Sequence, residues 1–179
     1  GECSVTGVVE KLGITASTVR EGSGSYLIRN TSVSRRMPMT LTQQKVPYSH
    51  WEFLHPTSGD RLRLIPERGG LVSGWRCGDR EVLYFDEERY ADSSKSIRGG
   101  VPVLFPICGN LPDDRLEVDG LDHTLPQHGF ARDLPWQLQL LDDQSGVRLS
   151  LGSSADTLKA YPFSFLLEME VRPAADALE

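Results

Sequence analysis

The sequence predicts an all-β protein, folded as an antiparallel β-sandwich from about residue 40 onward. Apolar residues alternate with polar ones in several short stretches, and turn-forming residues separate these stretches. No convincing helical pattern is evident after residue 40. Short strands without intervening helices favour antiparallel pairing in two sheets that pack face to face.

The first predicted strands lie in the segments 62–64 and 116–125. Leu62 and Leu64 lead into Pro66 and then the glycine pair 69–70, which predicts a strand that ends at a sharp turn. In the second segment, Asp119-Gly120 separates two alternating runs. Asp-Gly suits a two-residue turn because its central positions favour positive φ, so this segment is predicted to be a hairpin.

A second hairpin and a later strand complete the predicted order. Apolar residues alternate over 136–140 and over 147–151, and the five residues 142–146 between them are turn-prone. The segment 165–171 again places apolar residues at every second position. All of these predicted strands lie after residue 40, which is consistent with a single β-sandwich domain there.

Charge divides the chain at about residue 39. The 179 residues carry a net charge of −6, but segment 1–39 has five basic and three acidic residues, whereas the remainder has 14 and 22. Segment 1–39 also has only one aromatic residue, Tyr26, and is rich in Ser, Thr and Gly. We therefore predict an N-terminal segment of unknown role, 1–39, and a β-sandwich domain, 40–179.

Composition excludes several classes of function. The acidic balance disfavours nucleic-acid binding and a polybasic membrane surface. The longest apolar runs are far shorter than the ~20 residues of a spanning helix, which predicts no membrane partner. Cys3, Cys77 and Cys108 lack the spacing of a disulfide framework or a zinc knuckle. A reducing cytoplasm is the expected location.

The segment 95–102 combines Arg98 with the adjacent glycines 99 and 100, and Phe105-Pro106 follows it. Paired glycines permit a sharp turn or the close approach of a ligand, and a guanidinium can hold phosphate or sugar hydroxyls through several donors. The alternative is a bulged strand that carries a solvated arginine. On these residues alone the alternative is favoured, because Arg-Gly-Gly is a weak signal.

The segment 125–133 places Gln127, His128 and Arg132 within six residues, between two strand patterns. Such a loop can present an amide, an imidazole and a guanidinium to one ligand. Taken alone, a histidine like His128 is more often structural than catalytic. No metal site is predicted, since His123 with His128 lacks a third ligand and the usual spacing.

Together, the runs 96–106 and 125–132, with Trp136, closely resemble the aldose 1-epimerase (galactose mutarotase-like) superfamily. The nearest branch is hexose-6-phosphate mutarotase, also called glucose-6-phosphate 1-epimerase. The runs 68–75, 81–84, 161–163 and 167–171 resemble further strands of that family. The resemblance covers about residues 40–179 and corresponds to the N-terminal part of the family domain, so the sandwich is expected to be incomplete at its C-terminus.

The resemblance implies a carbohydrate-metabolism enzyme that interconverts the α and β anomers of a hexose or hexose 6-phosphate without a metal or organic cofactor. It implies a substrate pocket lined by Arg98, Gln127 and Arg132, with His128 supporting the sugar or the pocket. Ile107-Cys108 departs from many relatives, which carry bulkier aromatic residues there. This departure leaves the identity of the sugar open.

The family's reaction needs a general base for the anomeric hydroxyl and a general acid for the ring oxygen. The resemblance places its Glu and His in segments that would follow residue 179, so no catalytic residue is assigned here. Three explanations stay open: a fragment, a chain completed by another chain, or a natural truncation. A non-catalytic module that binds a sugar or sugar phosphate is the alternative function, and unpaired strands predict self-association.

The segment 8–20 has the pattern of a helix-turn-helix, which would make the N-terminal segment a DNA-binding element. Gly22 and Gly24 would stop its second helix after about two turns, and no third helix follows. A strand hairpin or a flexible arm is the competing interpretation. The DNA-binding hypothesis is the weaker of the two.

Overall fold

Twelve β-strands make up most of the regular structure in the computed structural model, which describes residues 40–174 and 177–179. The N-terminal segment and its helix-turn-helix pattern lie outside the described residues. In chain order the strands are β1 Leu41–Gln44, β2 His50–Leu54, β3 Arg61–Ile65, β4 Leu71–Cys77, β5 Arg80–Glu81, β6 Arg115–Val118, β7 Leu121–Thr124, β8 Gln137–Leu140, β9 Val147–Gly152, β10 Leu166–Val171, β11 Pro173–Ala174 and β12 Ala177–Leu178.

The larger sheet is a five-stranded antiparallel meander in the order β1-β2-β3-β4-β5. Neighbouring strands in the chain are neighbours in the sheet, so each connection is a short turn. Between β3 and β4 the register shifts at Arg63/Leu64. The turn that joins these two strands contains Gly69 and Gly70, both at positive φ, a conformation that glycine adopts at low cost.

The smaller sheet has the order β10-β9-β8 and is also antiparallel. Its β8–β9 hairpin and strand β10 confirm the alternating patterns at 136–140, 147–151 and 165–171. Strands β6 and β7 form a separate hairpin, with Asp119 at φ 51° and Gly120 at φ 76°. Both central residues of this turn therefore have positive φ, as the Asp-Gly pair predicts.

One hydrophobic core joins the two main sheets. Phe53, Leu62 and Trp75 of the larger sheet belong to the same buried cluster as Val147 and Leu149 of the smaller one. Removing such side chains from water stabilises the fold by roughly 25 cal/mol per Å² of apolar surface. This packing confirms the predicted antiparallel β-sandwich.

The expectation of no helix after residue 40 is wrong for two short elements, α1 Glu87–Ala91 and α2 Thr157–Ala160. Each is little more than one turn, so a helical apolar period cannot develop in the sequence. Local hydrogen bonds stabilise them instead. At α1 the Asp86 carboxylate accepts from the Arg89 backbone N–H at 2.9 Å, and at α2 the Ser154 hydroxyl oxygen accepts from the Thr157 backbone N–H at 3.2 Å. Two 3-10 turns, Pro112–Asp114 and Ala131–Asp133, complete the described helical structure. In this part of the chain, no helix is long and apolar enough to cross a bilayer.

A cross-strand ion pair predicts a pH dependence of stability. Arg148 of β9 lies opposite Glu170 of β10, with Nε to Oε1 at 3.0 Å. Hydrogen bonds from Arg148, then from Arg172, lower the pKa of Glu170 below its ordinary value of 4.5. Because the folded-state pKa is the lower one, the carboxylate stabilises the fold above the unfolded-state pKa, and this contribution is lost as the pH falls through the folded-state pKa.

We therefore expect Glu170→Gln to be less stable than the parent at neutral pH, with the difference shrinking as the solution is acidified. Urea unfolding between about pH 7 and pH 3 measures this dependence. Glu88→Gln on the exposed face of α1 is the matched control. A stability difference that stays constant with pH would contradict the assignment.

Candidate functional site

Three loops enclose a cavity of about 290 Å³ beside the larger sheet. They are the β3–β4 turn, the segment 96–104 and the segment 128–133. Binding sites for small ligands commonly occupy about 300–1,000 Å³, so the volume of this cavity lies just below that range. Its lining residues are Arg68, Gly69, Leu71, Ser96, Ile97, Gly99, Gly100, Pro102, Leu104, His128, Arg132 and Asp133.

The glycine pair 99–100 fixes one wall of the cavity. Gly100 N–H donates to the Tyr84 carbonyl at 2.8 Å, and the next residue, Val101, donates to the Val72 carbonyl of β4 at 2.9 Å. Gly99 has φ 88°, and a Cβ at this position would collide with the Tyr84 carbonyl oxygen. Only glycine lets the loop lie this close to the sheet.

A second wall is formed where the segment 128–131 lies against Phe105. Phe130 and Ala131 both donate backbone N–H groups to the Phe105 carbonyl, at 3.0 and 3.2 Å. Gly129 has φ 67°, and a Cβ there would also collide with that carbonyl. This backbone contact brings the second polar segment of the sequence next to the first.

Trp136 connects the second wall to the β3–β4 turn. Its backbone N–H donates to the Pro66 carbonyl at 2.7 Å, and its indole N–H donates to the Ala131 carbonyl at 2.9 Å. Its ring packs so closely on Gly70 that a Cβ at residue 70 would lie 2.7 Å from it. The same side chain thus holds two of the three cavity loops and belongs to the core.

His128 lines the cavity and is held by two hydrogen bonds to one residue. Its Nδ1 accepts from the Gly109 N–H at 3.0 Å, and its backbone N–H donates to the Gly109 carbonyl at 2.6 Å. An Nδ1 that accepts carries no proton, so the neutral ring has its proton on Nε2. The imidazole is therefore oriented as a donor through Nε2, suited to a ligand hydroxyl or anionic oxygen.

Arg132 also lines the cavity, half-buried on the 3-10 turn after His128. Its guanidinium donates to the backbone carbonyl of Gln127 at 3.1 Å and lies 3.5 Å from the Asp133 carboxylate. The partner carboxylate is 65% exposed, and water screens such a pair strongly. Much of the positive potential of Arg132 therefore remains available to a ligand.

Arg68 is a lining residue that the sequence reasoning missed as a site residue. One guanidinium nitrogen donates to the Lys95 carbonyl at 2.7 Å. Among the described residues, no carboxylate lies within the 4.0 Å ion-pair distance of Arg68. The sequence feature that could have identified Arg68 is its position directly before the glycine pair 69–70, because such glycines let a neighbouring side chain approach a ligand site.

The structure brings His128 and Arg132 together but does not bring all four predicted residues to the cavity. Arg98 is exposed and is not a lining residue, although its neighbours Ile97 and Gly99 are. Gln127 is exposed, and its backbone carbonyl is the group that contacts Arg132. A role in substrate binding for these four residues stays a prediction.

The described residues include no group of three or more His, Cys, Asp and Glu side chains placed to hold a metal ion. His123 and His128 have separate partners: His123 Nδ1 lies 2.8 Å from the Lys159 carbonyl oxygen, whereas His128 is bound to Gly109. The polar groups that line the cavity are therefore the guanidiniums of Arg68 and Arg132, the His128 imidazole, the Asp133 carboxylate, the Ser96 hydroxyl and backbone groups.

Fold and site together define a class: an antiparallel β-sandwich protein with a cationic cavity whose walls combine guanidinium and imidazole donors with apolar side chains. Comparison with known proteins gives the particular family. The family model described as "Aldose 1-epimerase" matches residues 59–176, well over half of the chain. The chain belongs to the aldose 1-epimerase family.

Relatives share both sequence and fold with this chain. The "Putative glucose-6-phosphate 1-epimerase" of Escherichia coli K12 is 36% identical over 104 residues, covering 56% of this chain and 32% of the relative. The crystal structure of Slr1438 from Synechocystis sp. PCC 6803 is 44% identical with a TM-score of 0.67, covering 72% of this chain and 45% of that one.

A galactose mutarotase-like protein from Lactobacillus casei ATCC 334 shares the fold, with a TM-score of 0.54 at 24% identity over 66% of this chain and 38% of that one. The chain spans about a third of the length of the curated relatives it matches. These comparisons confirm the resemblance stated from the sequence, including the galactose mutarotase-like fold.

Proposed function

We propose that this chain forms the sugar-phosphate-binding part of a hexose-6-phosphate 1-epimerase. The observation that carries the proposal is the cavity itself, where Arg68, Arg132 and His128 face the same space of about 290 Å³. Membership of the aldose 1-epimerase family supports a sugar as the ligand. Likeness to relatives named for glucose 6-phosphate supports a phosphorylated hexose.

The charges of the cavity favour an anionic group on the sugar. A guanidinium offers planar pairs of N–H donors that match phosphate oxygens, and two such groups suit a dianion. The third donor, His128 Nε2, is held in place through Gly109. With a neutral sugar, Arg68 would have no carboxylate partner within 4.0 Å among the described residues, although the Asp133 carboxylate also lines the cavity.

The apolar part of the cavity suits the carbon skeleton of a hexose. Leu71, Pro102 and Leu104 line the side formed by β4 and the segment 96–104. A pyranose ring has C–H groups on both faces, which pack on such side chains while its hydroxyls take hydrogen bonds. We keep Arg98 and Gln127 in the proposal as outer contacts, since both are exposed next to lining residues.

The test is a titration with glucose 6-phosphate, followed by chemical-shift changes in NMR spectra. We expect binding by the parent chain and an affinity about tenfold to a hundredfold lower for Arg132→Ala, because a hydrogen bond to a charged group contributes about 1.5–3 kcal/mol. Arg115→Ala, on the exposed β6–β7 hairpin, is the matched control. Unchanged affinity for Arg132→Ala, or no binding by the parent, would sink the proposal.

The anomer-exchange rate of the sugar, measured on the same samples, tests whether these residues supply the general acid and base. The proposal places the general acid and base outside residues 1–179, so this chain alone should exchange anomers no faster than buffer. Acceleration would show that these residues, or a second copy, supply the acid and base. Binding without acceleration also fits the alternative of a non-catalytic sugar-phosphate-binding module.

The remaining features of the proposal follow from the sequence. They are a division into segment 1–39 and a sandwich domain 40–179, and a cytoplasmic location. Self-association through strand edges is part of it too, since β1, β5, β8 and β10 end their sheets in the described part of the chain. An unpaired edge offers backbone groups to another strand.

A further inference from the structure

The cavity arginine Arg68 lies against an aromatic ring. Its guanidinium carbon is 5.6 Å from the centroid of the Tyr90 ring, on helix α1. A guanidinium within about 6 Å of an aromatic face gains about 0.5–2 kcal/mol from the negative potential of the ring. With the hydrogen bond to Lys95, this contact holds the guanidinium from two sides.

Tyr90 is in turn fixed by an aromatic cluster tied to the sheet. Its ring packs on Tyr48 and Phe85, with centroids 5.2 and 5.4 Å away. Tyr48 donates its hydroxyl to the Oγ of Ser73 at 3.0 Å, and Ser73 is buried in β4. The position of the guanidinium is therefore coupled, through two rings, to the core of the larger sheet.

The hydrogen bond to Lys95 uses one of the five N–H donors of Arg68, and a contact through the ring face uses none. Within residues 40–174 and 177–179 the Arg68 side chain forms no other hydrogen bond, so the remaining donors can meet a ligand in the cavity. An aromatic partner differs in this respect from a carboxylate, which would occupy donors and neutralise the charge. The arrangement fixes the arginine and keeps it cationic toward the cavity.

We propose that Tyr90 is the positioning residue for Arg68, holding its guanidinium at the cavity wall so that it binds the anionic group of the sugar phosphate. This inference rests on the proposed function and adds the residue that sets its preference for a phosphorylated sugar. Tyr90 does not line the cavity and acts only through Arg68.

The phenol remains uncharged in this role. Burial, which outweighs the nearby charge of Arg68, raises the pKa of Tyr90 above its ordinary value of 10.0, and the Glu67 carboxylate adds to the rise. The ring therefore acts at neutral pH through its face, and its hydroxyl is not required for the contact. Tyr90→Phe, which removes only the hydroxyl, and Tyr90→Leu, which removes the ring, should therefore have different effects.

The experiment compares Tyr90→Leu with Tyr90→Phe, using glucose 6-phosphate and unphosphorylated glucose as probes. Loss of the ring face is expected to raise the Kd for glucose 6-phosphate about twofold to thirtyfold and to leave binding of glucose unchanged. Tyr90→Phe keeps the ring and should retain parental affinity. Phe163→Leu, at an aromatic residue that is 47% exposed and does not line the cavity, is the matched control.

Equal losses in Tyr90→Phe and Tyr90→Leu, an unchanged Tyr90→Leu, or equal losses for both probes would overturn the inference while leaving the proposed function intact. A parent chain that does not bind glucose 6-phosphate overturns both. A readout without ligand guards against an unfolded variant: in the parent, the ring current of Tyr90 should displace the Arg68 Nε–H resonance from those of exposed arginines. No displacement would also overturn the inference.

Discussion

Replacing Trp136 by alanine is expected to lower the free energy of unfolding by about 3–5 kcal/mol, the range for buried aromatic residues. Trp136 is 6% exposed and belongs to the core cluster shared by both sheets. The substitution removes the ring that packs on Gly70 and the indole donor to Ala131. Urea unfolding followed by circular dichroism measures the change.

The matched variant Trp136→Phe keeps an aromatic ring and removes the indole N–H. Its free energy of unfolding should fall by about 1–3 kcal/mol, because the buried Ala131 carbonyl loses its donor. This loss is smaller than that of the alanine variant, since the ring packing is largely kept. Equal losses for the two variants would show that the hydrogen bond, rather than packing, dominates. A loss below about 1 kcal/mol for Trp136→Ala would contradict the place of this residue in the core.

Gly99→Ala is expected to abolish the proposed sugar-phosphate binding and to lower the free energy of unfolding by about 2–4 kcal/mol. The residue has φ 88°, which costs an L side chain roughly 1–2 kcal/mol. Its new Cβ would also meet the Tyr84 carbonyl oxygen, so the loop must move away from the sheet. Thermal or urea unfolding and a titration with glucose 6-phosphate report the two effects separately.

Gly59→Ala is the control that separates the steric clash of the new Cβ from the backbone strain of a positive φ. Gly59 has a similar φ of 77°, yet a Cβ there would meet nothing within 4 Å. The Gly59→Ala variant should therefore lose only about 1–2 kcal/mol of unfolding free energy and keep the parental affinity for glucose 6-phosphate. Similar binding by both variants would mean that the close approach at Gly99 does not shape the cavity.

Strand positions were predictable wherever one face of the strand is buried. Leu149 and Val147 point into the core while the residue between them, Arg148, does not, and this alternation is legible in the sequence. The two short helices were not predictable from periodicity, since α1 has no buried residue. Asp86 caps this helix, but an Asp before a single helical turn looks the same in the sequence as an Asp in an ordinary loop.

The site was predictable in part, and the reason is geometric. The segments around Gly99 and His128 are identifiable in the sequence because they combine glycines with polar residues. Which arginine reaches the cavity depends on how the loops lie against the sheets, and this is tertiary information. Arg98 therefore stood out in the sequence, whereas Arg68 required the fold.

The backbone bonds that hold the loops at Gly100 and Phe130 have a consequence for the kinetics of binding. Their partners are carbonyls at Tyr84 and Phe105, so the cavity walls are already in place without a ligand. A preorganised site loses little conformational entropy on binding. We therefore expect a single-step association, with an observed rate that rises linearly with sugar-phosphate concentration and shows no plateau from a preceding rearrangement.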